Sequence, residues 1–336
     1  MKKISVLFLL FIGLIVATSP INAEEVGYAI RAEKNEFQAD QTVSYYDLKL
    51  QPEQKTTLVL AVINTSDEES TFHINATSAR TSDGMALEYD PSDNKDKSLK
   101  IDFAKIAKVE EPTVTVKPKS EKLVSIEVKM PKEALKGTLL GSIHVIKAVD
   151  EEKKEQGGFY NQFAYAKPVV IHQGEVREGP DLKLKLVKVT SENSVYSVAG
   201  NIQNYRAALI KEVSAKTTVT KKGSQKVVLE SEMSGGTIAP NSNFNLKLNF
   251  GKDDLENGTY TYHTTIKDND GHEWTFNKDF KYEQKMLDEG GSLNFGGNNN
   301  NLLLFALGVL IILLLAFCIF LMVFLWKKKE DKNKKN

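Results

Sequence analysis

The feature that most restricts how this 336-residue chain can fold is an apolar run close to its C-terminus. Residues 302–326 carry no charge, and Lys327, Lys328 and Lys329 follow them directly. A helix of that length crosses the hydrocarbon core of a bilayer with some tilt, and a run that is apolar on every face does not suit a soluble helix. We therefore expect residues 302–326 to form a transmembrane helix in contact with membrane lipid.

A second apolar stretch, residues 4–17, follows Lys2 and Lys3 and is too short to span a bilayer. This layout is typical of a secretory signal peptide, which we place at residues 1–23; the alternative is an uncleaved anchor helix. Residues 327–336 contain six lysines and two acids, so this basic tail is expected to be cytoplasmic. The sequence thus predicts a single-pass protein of the cell membrane, with an extracellular ectodomain and a cytoplasmic C-terminus.

The ectodomain contains no cysteine, because Cys318 lies inside the predicted span. It must be stabilised by apolar cores without intrachain disulfides, which for an exported protein favours a Gram-positive bacterial source over an animal one. The chain has 44 basic and 44 acidic residues; setting aside eight lysines and two acids at its ends leaves 36 basic against 42 acidic. This net negative charge argues against a nucleic-acid partner.

The ectodomain sequence is dominated by short runs rich in Val, Ile and Thr, separated by turn residues. Such a pattern predicts an all-β fold of two tandem immunoglobulin-like or fibronectin-like β-sandwich domains, at residues 24–150 and 151–285. The charged segment 150–155 (DEEKKE) between them reads equally well as a hairpin tip or a domain linker. Residues 286–301, rich in Gly and Asn, are predicted to be a flexible linker to the membrane.

No motif for nucleotide binding or nucleophilic catalysis is present, and the five histidines lack the spacing of a zinc site. They are His73, His144, His172, His263 and His272. Asp268, Asp270 and Gly271 resemble the start of a calcium loop, but their surroundings favour a hairpin turn. We therefore assign no catalytic, metal or cofactor-binding residue, no cofactor and no enzymatic activity.

Two alternatives stay open. Carboxylates from distant strands could form a cell-wall glycosidase site, since such pairs leave no sequence motif. Exposed aromatic side chains could stack on sugar rings, although packing in the core is the commoner role at strand spacing. The candidate aromatic residues are Tyr45, Tyr46, Phe159, Tyr160, Phe163 and Tyr165.

Several phrases, in order, resemble the WxL-interacting proteins, a family of Gram-positive surface proteins. In the first predicted domain they are residues 44–52 (SYYDLKLQP), 62–66 (VINTS), 128–131 (VKMP) and 137–145 (GTLLGSIHV). In the second they are residues 180–184, 201–204 (NIQN), 238–244 (IAPNSNF) and 258–260. One departure is Leu140, which precedes Gly141 where the family usually has a second glycine.

The resemblance implies a membrane-anchored cell-surface adaptor that is not an enzyme. Its first domain would contact peptidoglycan, its second would bind host matrix proteins, and it would associate with WxL-domain surface proteins. The family gives no binding residues for this chain, so the partner-binding residues are unknown at this stage.

Overall fold

The computed structural model describes residues 26–92, 95–149, 162–174, 179–192 and 195–284. The regular structure of these residues consists of strands apart from one short helix, which confirms the all-β prediction. The elements of the N-terminal half are β1 (Tyr28–Ala32), β2 (Tyr46–Lys49), β3 (Lys55–Asn64), β4 (Ser70–Ser78), β5 (Arg80–Thr81), β6 (Leu87–Glu88), helix α1 (Phe103–Ile106), β7 (Ala107–Val109), β8 (Thr113–Val116), β9 (Ser120–Lys129), β10 (Thr138–Lys147) and β11 (Ala164–His172). Those of the C-terminal half are β12 (Leu182–Glu192), β13 (Val195–Asn204), β14 (Ile210–Lys221), β15 (Val227–Ile238), β16 (Ser242–Phe250), β17 (Gly258–Lys267) and β18 (Glu273–Tyr282).

The first sandwich packs a sheet of strand order β1-β3-β9-β7 against a sheet of order β2-β11-β10-β4-β8. In β9 the buried Val124, Ile126 and Val128 alternate with more exposed residues, as expected for a strand with one face on a core. Strand β10 is central in its sheet and buried on both faces. On the core side Phe103 of α1 packs against Gly141, and on the opposite face Leu140 packs against Ala79 and Ala239. One continuous apolar cluster joins the two sheets.

Strand β11 corrects the predicted boundary between residues 150 and 151. It pairs antiparallel with β10, from Thr138↔His172 to Ile146↔Ala164, and parallel with β2. The first sandwich therefore extends to His172, and the second begins at Leu182. Sequence analysis placed β11 in the wrong domain because strand patterns do not say which strand is the hydrogen-bonding partner.

The charged segment 150–155 itself lies outside the described residues. The strands that precede and follow it in the sequence, β10 and β11, pair with each other.

The second sandwich consists of a three-stranded sheet, β12-β13-β16, and a four-stranded sheet, β15-β14-β17-β18. Seven antiparallel strands in two packed layers match the predicted architecture of a β-sandwich. Two apolar clusters fill the space between the sheets, one around Phe244 and Ile266 and the other around Tyr262 and Leu248. In β16 the buried Phe244, Leu246 and Leu248 alternate with Asn and Lys residues on the other face.

No helix among the residues given above is long and apolar enough to cross a membrane. The predicted signal peptide, Gly/Asn-rich linker, transmembrane helix and basic tail all fall outside those residues.

The position of β11 leads to a prediction about domain fragments. A fragment of residues 24–150 lacks β11 and leaves β2 and β10 unpaired on that side, so we expect it to be unfolded or aggregated. A fragment of residues 24–174 restores the five-stranded sheet and should unfold cooperatively on heating, as followed by far-UV circular dichroism. Equal thermal midpoints for the two fragments would show that β11 is dispensable to the first sandwich.

Candidate functional site

The five histidines are dispersed over the two sandwiches. Four of them contact polar side chains: His73 contacts Thr113 (3.1 Å), His172 contacts Asp47 (3.0 Å), His263 contacts Asn277 (2.7 Å) and His272 contacts Asp268 (2.7 Å). The fifth, His144, is buried in β10. Burial lowers the pKa of His144. Nowhere in the described ranges do three or more His, Cys, Asp or Glu side chains come together as a metal site would require.

The Asp268 segment is a hairpin turn, as the sequence favoured. Oδ1 of Asp268 accepts hydrogen bonds from the backbone N–H groups of Asp270 (3.0 Å) and His272 (2.8 Å). Strands β17 and β18 pair on either side of the turn. Backbone donors therefore occupy the oxygen that a calcium ion would need.

The candidate aromatic residues divide between core and surface. Tyr46 is fully buried and its hydroxyl donates to the carbonyl of Val59 (2.6 Å), so it is a structural residue. Phe163 and Tyr165 are 42% and 38% exposed. Tyr45 is half-buried, and Phe159 and Tyr160 lie outside the described residues.

The two sandwiches contact each other at a surface here called the junction. It is centred on the turn between β5 and β6, residues 82–86, which we call the plug. Met85 of the plug is 1% exposed and belongs to the apolar cluster of the second sandwich, with Ile210, Ile238 and Phe244. A side chain of the first domain thus completes the core of the second.

The backbone of the plug is shaped for this insertion. Within this turn Met85 has a positive φ, at 54°. A non-glycine residue adopts this conformation at a cost, which the burial of its side chain offsets. Gly236 of β15 is required opposite, because a Cβ there would lie 2.7 Å from the Cβ of Met85.

Backbone hydrogen bonds extend the insertion along the edge of β15. The N–H of Thr237 donates to the carbonyl of Met85 (2.7 Å), and the N–H of Ala239 donates to Thr81 Oγ1 (2.9 Å). Thr81 Oγ1 also lies 2.6 Å from Ser242 Oγ. The first domain therefore satisfies strand-edge groups that the second domain leaves unpaired.

Asp83 joins the plug to the outer face of β16. Its Oδ1 accepts from the backbone N–H and the side-chain amide of Asn245, at 2.8 and 3.1 Å. Lys247 lies 2.8 Å from the same carboxylate and 2.7 Å from Glu192. Hydrogen bonds that the Lys247 ammonium donates to the carboxylates of Asp83 and Glu192 raise the pKa of Lys247, so the lysine stays charged here.

Asp96 forms the second polar contact of the junction. Its side chain is 1% exposed and accepts hydrogen bonds from Ser98 N (2.8 Å), Gln203 Nε2 (2.7 Å) and Asn243 Nδ2 (2.7 Å). Burial raises the pKa of Asp96, but the hydrogen bonds from Ser98, Gln203 and Asn243 outweigh it and leave the pKa below its usual value. A buried carboxylate with this many donors is held ionised.

An apolar seam and a backbone contact complete the junction. Leu140, the departure from the family pattern, is buried against Ala79 and Ala239, which come from opposite sides of the junction. The N–H of Thr138 donates to the carbonyl of Ala207 (2.7 Å). The junction therefore combines the buried side chain of Met85, the hydrogen-bonded carboxylates of Asp83 and Asp96, and backbone hydrogen bonds.

Sequence analysis did not find the junction. One signal was present: polar Asn243 and Asn245 alternate with apolar residues along β16, and this amide-rich face contacts Asp96 and Asp83. Alternation alone does not distinguish a face that meets a second domain from one that meets water.

Two β-sandwiches joined by a side chain of one in the core of the other define a two-domain β-sandwich protein. Residues 28–147 match the family model described as the peptidoglycan binding domain of the WxL Interacting Protein, and residues 154–289 match that described as its host binding domain. The chain belongs to the WxL Interacting Protein family, as the sequence resemblance predicted. The second match includes β11, which the structure places in the first sandwich.

Other comparisons add little. No curated protein matches the chain. Among solved structures it is similar to a chaperone–tip adhesin complex of CFA/I fimbriae (9% identity, TM-score 0.31, covering 74% of this chain and 97% of the other). It is also similar to the CsuC–CsuE complex of Acinetobacter baumannii, at 10% identity and a TM-score of 0.33, covering 68% of this chain and 93% of the other. A third similar structure is the CupB2 chaperone of Pseudomonas aeruginosa, at 12% identity and a TM-score of 0.28, covering 68% of this chain and 96% of the other. TM-scores this low do not support an inference about function.

Met85→Ala should destabilise the second sandwich although the residue belongs to the first. Removal of the buried side chain leaves a cavity, at an expected cost of about 2–5 kcal/mol in the free energy of unfolding. Hydrogen exchange of the amides of β14 and β15, in the 24–285 fragment, measures this effect. Leu123→Ala, at a position 54% exposed, is the matched control and should leave those exchange rates unchanged. Equal protection in wild type and Met85→Ala would mean that Met85 contributes nothing to that core.

Acid should weaken the junction through Asp96. The pKa of Asp96 is lower in the folded protein than in the unfolded chain. The contribution of ionised Asp96 to the free energy of unfolding is therefore fully present above the unfolded pKa of about 3.9. It is lost as the pH falls through the folded pKa. Asp96→Asn should cost about 1–3 kcal/mol at pH 7, because an amide is uncharged and offers one acceptor oxygen in place of two, so donors on one of the two oxygens lose their acceptor. This difference should shrink on acidification.

Denaturant unfolding of the 24–285 fragment between pH 7 and pH 2 measures the Asp96 contribution. The control is Asp67→Asn, at an exposed turn of the first sandwich, which should leave the free energy of unfolding at pH 7 close to that of wild type. A gap between wild type and Asp96→Asn that is the same at every pH would show that ionised Asp96 does not stabilise the junction.

Proposed function

We propose that this chain is a non-enzymatic cell-surface adaptor whose first sandwich binds peptidoglycan and whose second sandwich binds host matrix proteins. The observation that carries the proposal is that two regions matching binding domains of one family are held together by Met85 and Asp96. A junction of this kind fixes the position of one binding surface relative to the other. Binding at both ends would then connect the cell wall to an external surface.

Membrane attachment is part of the same proposal. Residues 302–326 would anchor the chain in the cell membrane after removal of residues 1–23, with the basic tail in the cytoplasm and both sandwiches outside. The apolar run and its flanking lysines support this arrangement. We further propose that both sandwiches have the immunoglobulin-like or fibronectin-like topology expected from their strand pattern.

WxL-domain surface proteins are the proposed protein partners, on the basis of the family name. The described structure offers suitable strand edges for such a partner. Strand β15 pairs only with β14, and residues 227–233 lie beyond the part of its edge that the plug covers. Addition of a partner strand to a free edge is a common recognition mode.

A bridging assay tests the proposed function. Insoluble peptidoglycan should be retained on a surface coated with host matrix protein only when the 24–285 fragment is added. The 24–174 fragment, which lacks the second sandwich, is the control: it should not retain peptidoglycan on the coated surface. A purified WxL-domain protein should bind the 24–285 fragment in a separate titration.

The opposite results are equally clear. Failure of the 24–285 fragment to co-sediment with peptidoglycan would refute the role of the first sandwich. Retention by the 24–174 fragment alone would refute the assignment of host binding to the second.

A further inference from the structure

A cleft of about 290 Å³ opens beside the junction, with walls from both sandwiches. The first sandwich contributes residues 98–101 and the loop of residues 133–136, and the second contributes residues 205–207 and Asn241. The buried Ile101 and Leu139 give it an apolar floor. This volume is at the small end of the range for ligand pockets, so it fits the end of a chain and not a whole polymer segment.

The cleft exists only while the two sandwiches are docked. At Gly137 a Cβ would lie 2.1 Å from the carbonyl oxygen of Ala207, so the two domains meet here with no room for a side chain. Thr138 N–H donates to that same carbonyl oxygen. Loop residues from the first sandwich and Arg206 from the second therefore face one space.

Cations outnumber acids around the cleft. Lys100, Lys136 and Arg206 line it, against the single carboxylate of Glu133. Within the described parts of the chain, neither Lys100 nor Lys136 forms an ion pair or a hydrogen bond through its ammonium group. Two lysines whose ammonium groups have no partner and which line a partly apolar cleft are suited to an anionic ligand.

The outer wall of the cleft is an aromatic ring held between charged groups. The ammonium of Lys183 lies 3.8 Å from the centre of the Tyr205 ring, and the guanidinium of Arg206 lies 5.0 Å from it. The Tyr205 hydroxyl donates to the carboxylate of Asp181. Cation–π contacts and this hydrogen bond hold the ring in one orientation, so that the wall is formed before a ligand arrives.

We propose that this cleft binds the carboxylate end of a short peptide, as presented by the stem peptide of peptidoglycan. Lys100 and Lys136 would bind the carboxylate, and Ile101 and Leu139 would contact small apolar side chains next to it. A long polyanion is a poorer candidate, because the ectodomain as a whole carries more acidic than basic residues and would repel it. This inference rests on the proposed binding of peptidoglycan and adds a site and a chemical group to it.

Calorimetric titration of the 24–285 fragment with a soluble disaccharide-peptide, released from peptidoglycan by a muramidase, tests the site. Lys100→Gln combined with Lys136→Gln should weaken binding by about tenfold or more, since two charge-assisted contacts are lost. The same disaccharide-peptide with its terminal carboxylates amidated should bind the wild type as weakly as the unmodified form binds the double variant. Lys226→Gln, which removes an exposed lysine from the β14–β15 turn at the far end of β14 from the cleft, is the matched control and should change nothing.

The possible outcomes distinguish failure of the proposed cleft site from failure of the proposed function. Unchanged affinity in the double variant, or equal binding of the amidated ligand, would overturn the inference while peptidoglycan binding stands. Co-sedimentation with intact peptidoglycan without binding of the soluble fragment would also overturn it. If the 24–285 fragment binds no form of peptidoglycan, the inference and the proposed function fail together. Thermal unfolding of each variant, expected to match wild type because both lysines are exposed, shows that the comparison is between folded proteins.

Discussion

The structure depends on the insertion of Met85 from the first sandwich into the core of the second. No disulfide can connect the two domains, because the only cysteine lies in the predicted membrane span. Their relative position is therefore fixed by noncovalent contacts alone. A side chain that is part of another domain's core gives a stronger link than surface contacts do, since withdrawing it exposes apolar area on both sides.

Polar contacts around Met85 define how the two sandwiches are oriented. Asp83 and Asp96 carry charge into the junction, and each meets amides of β16 or its neighbour β13. A buried carboxylate is costly without donors, so any other docking angle would leave these groups unsatisfied. Met85 thus supplies burial, while the carboxylates favour a single arrangement.

Much of the fold could be predicted from the sequence because strand periodicity depends on nearby residues. The alternation of Val124, Ile126 and Val128 marks β9 directly, and the turn at Asp268 follows from local hydrogen-bonding chemistry. The position of β11 could not be predicted in this way, since its partners β10 and β2 are chosen by register and packing over long sequence separations.

The junction and the cleft were hidden for the same reason. Met85 is one apolar residue in a polar turn, and nothing near it in sequence indicates that its core belongs to another domain. Lys100 and Lys136 are ordinary surface lysines in the sequence, and they become a pair only when two loops of the folded chain face Arg206. Residues that act together across domains carry no common sequence period.

The junction is expected to hold the two sandwiches in one arrangement in solution. The 24–285 fragment contains no cysteine, so spin labels can be placed at Lys117→Cys in the first sandwich and Lys226→Cys in the second, both exposed positions. Pulsed electron paramagnetic resonance then measures the distance between them. We expect a single narrow distribution of distances, whereas a broad distribution extending over many ångströms would show that the two sandwiches move independently.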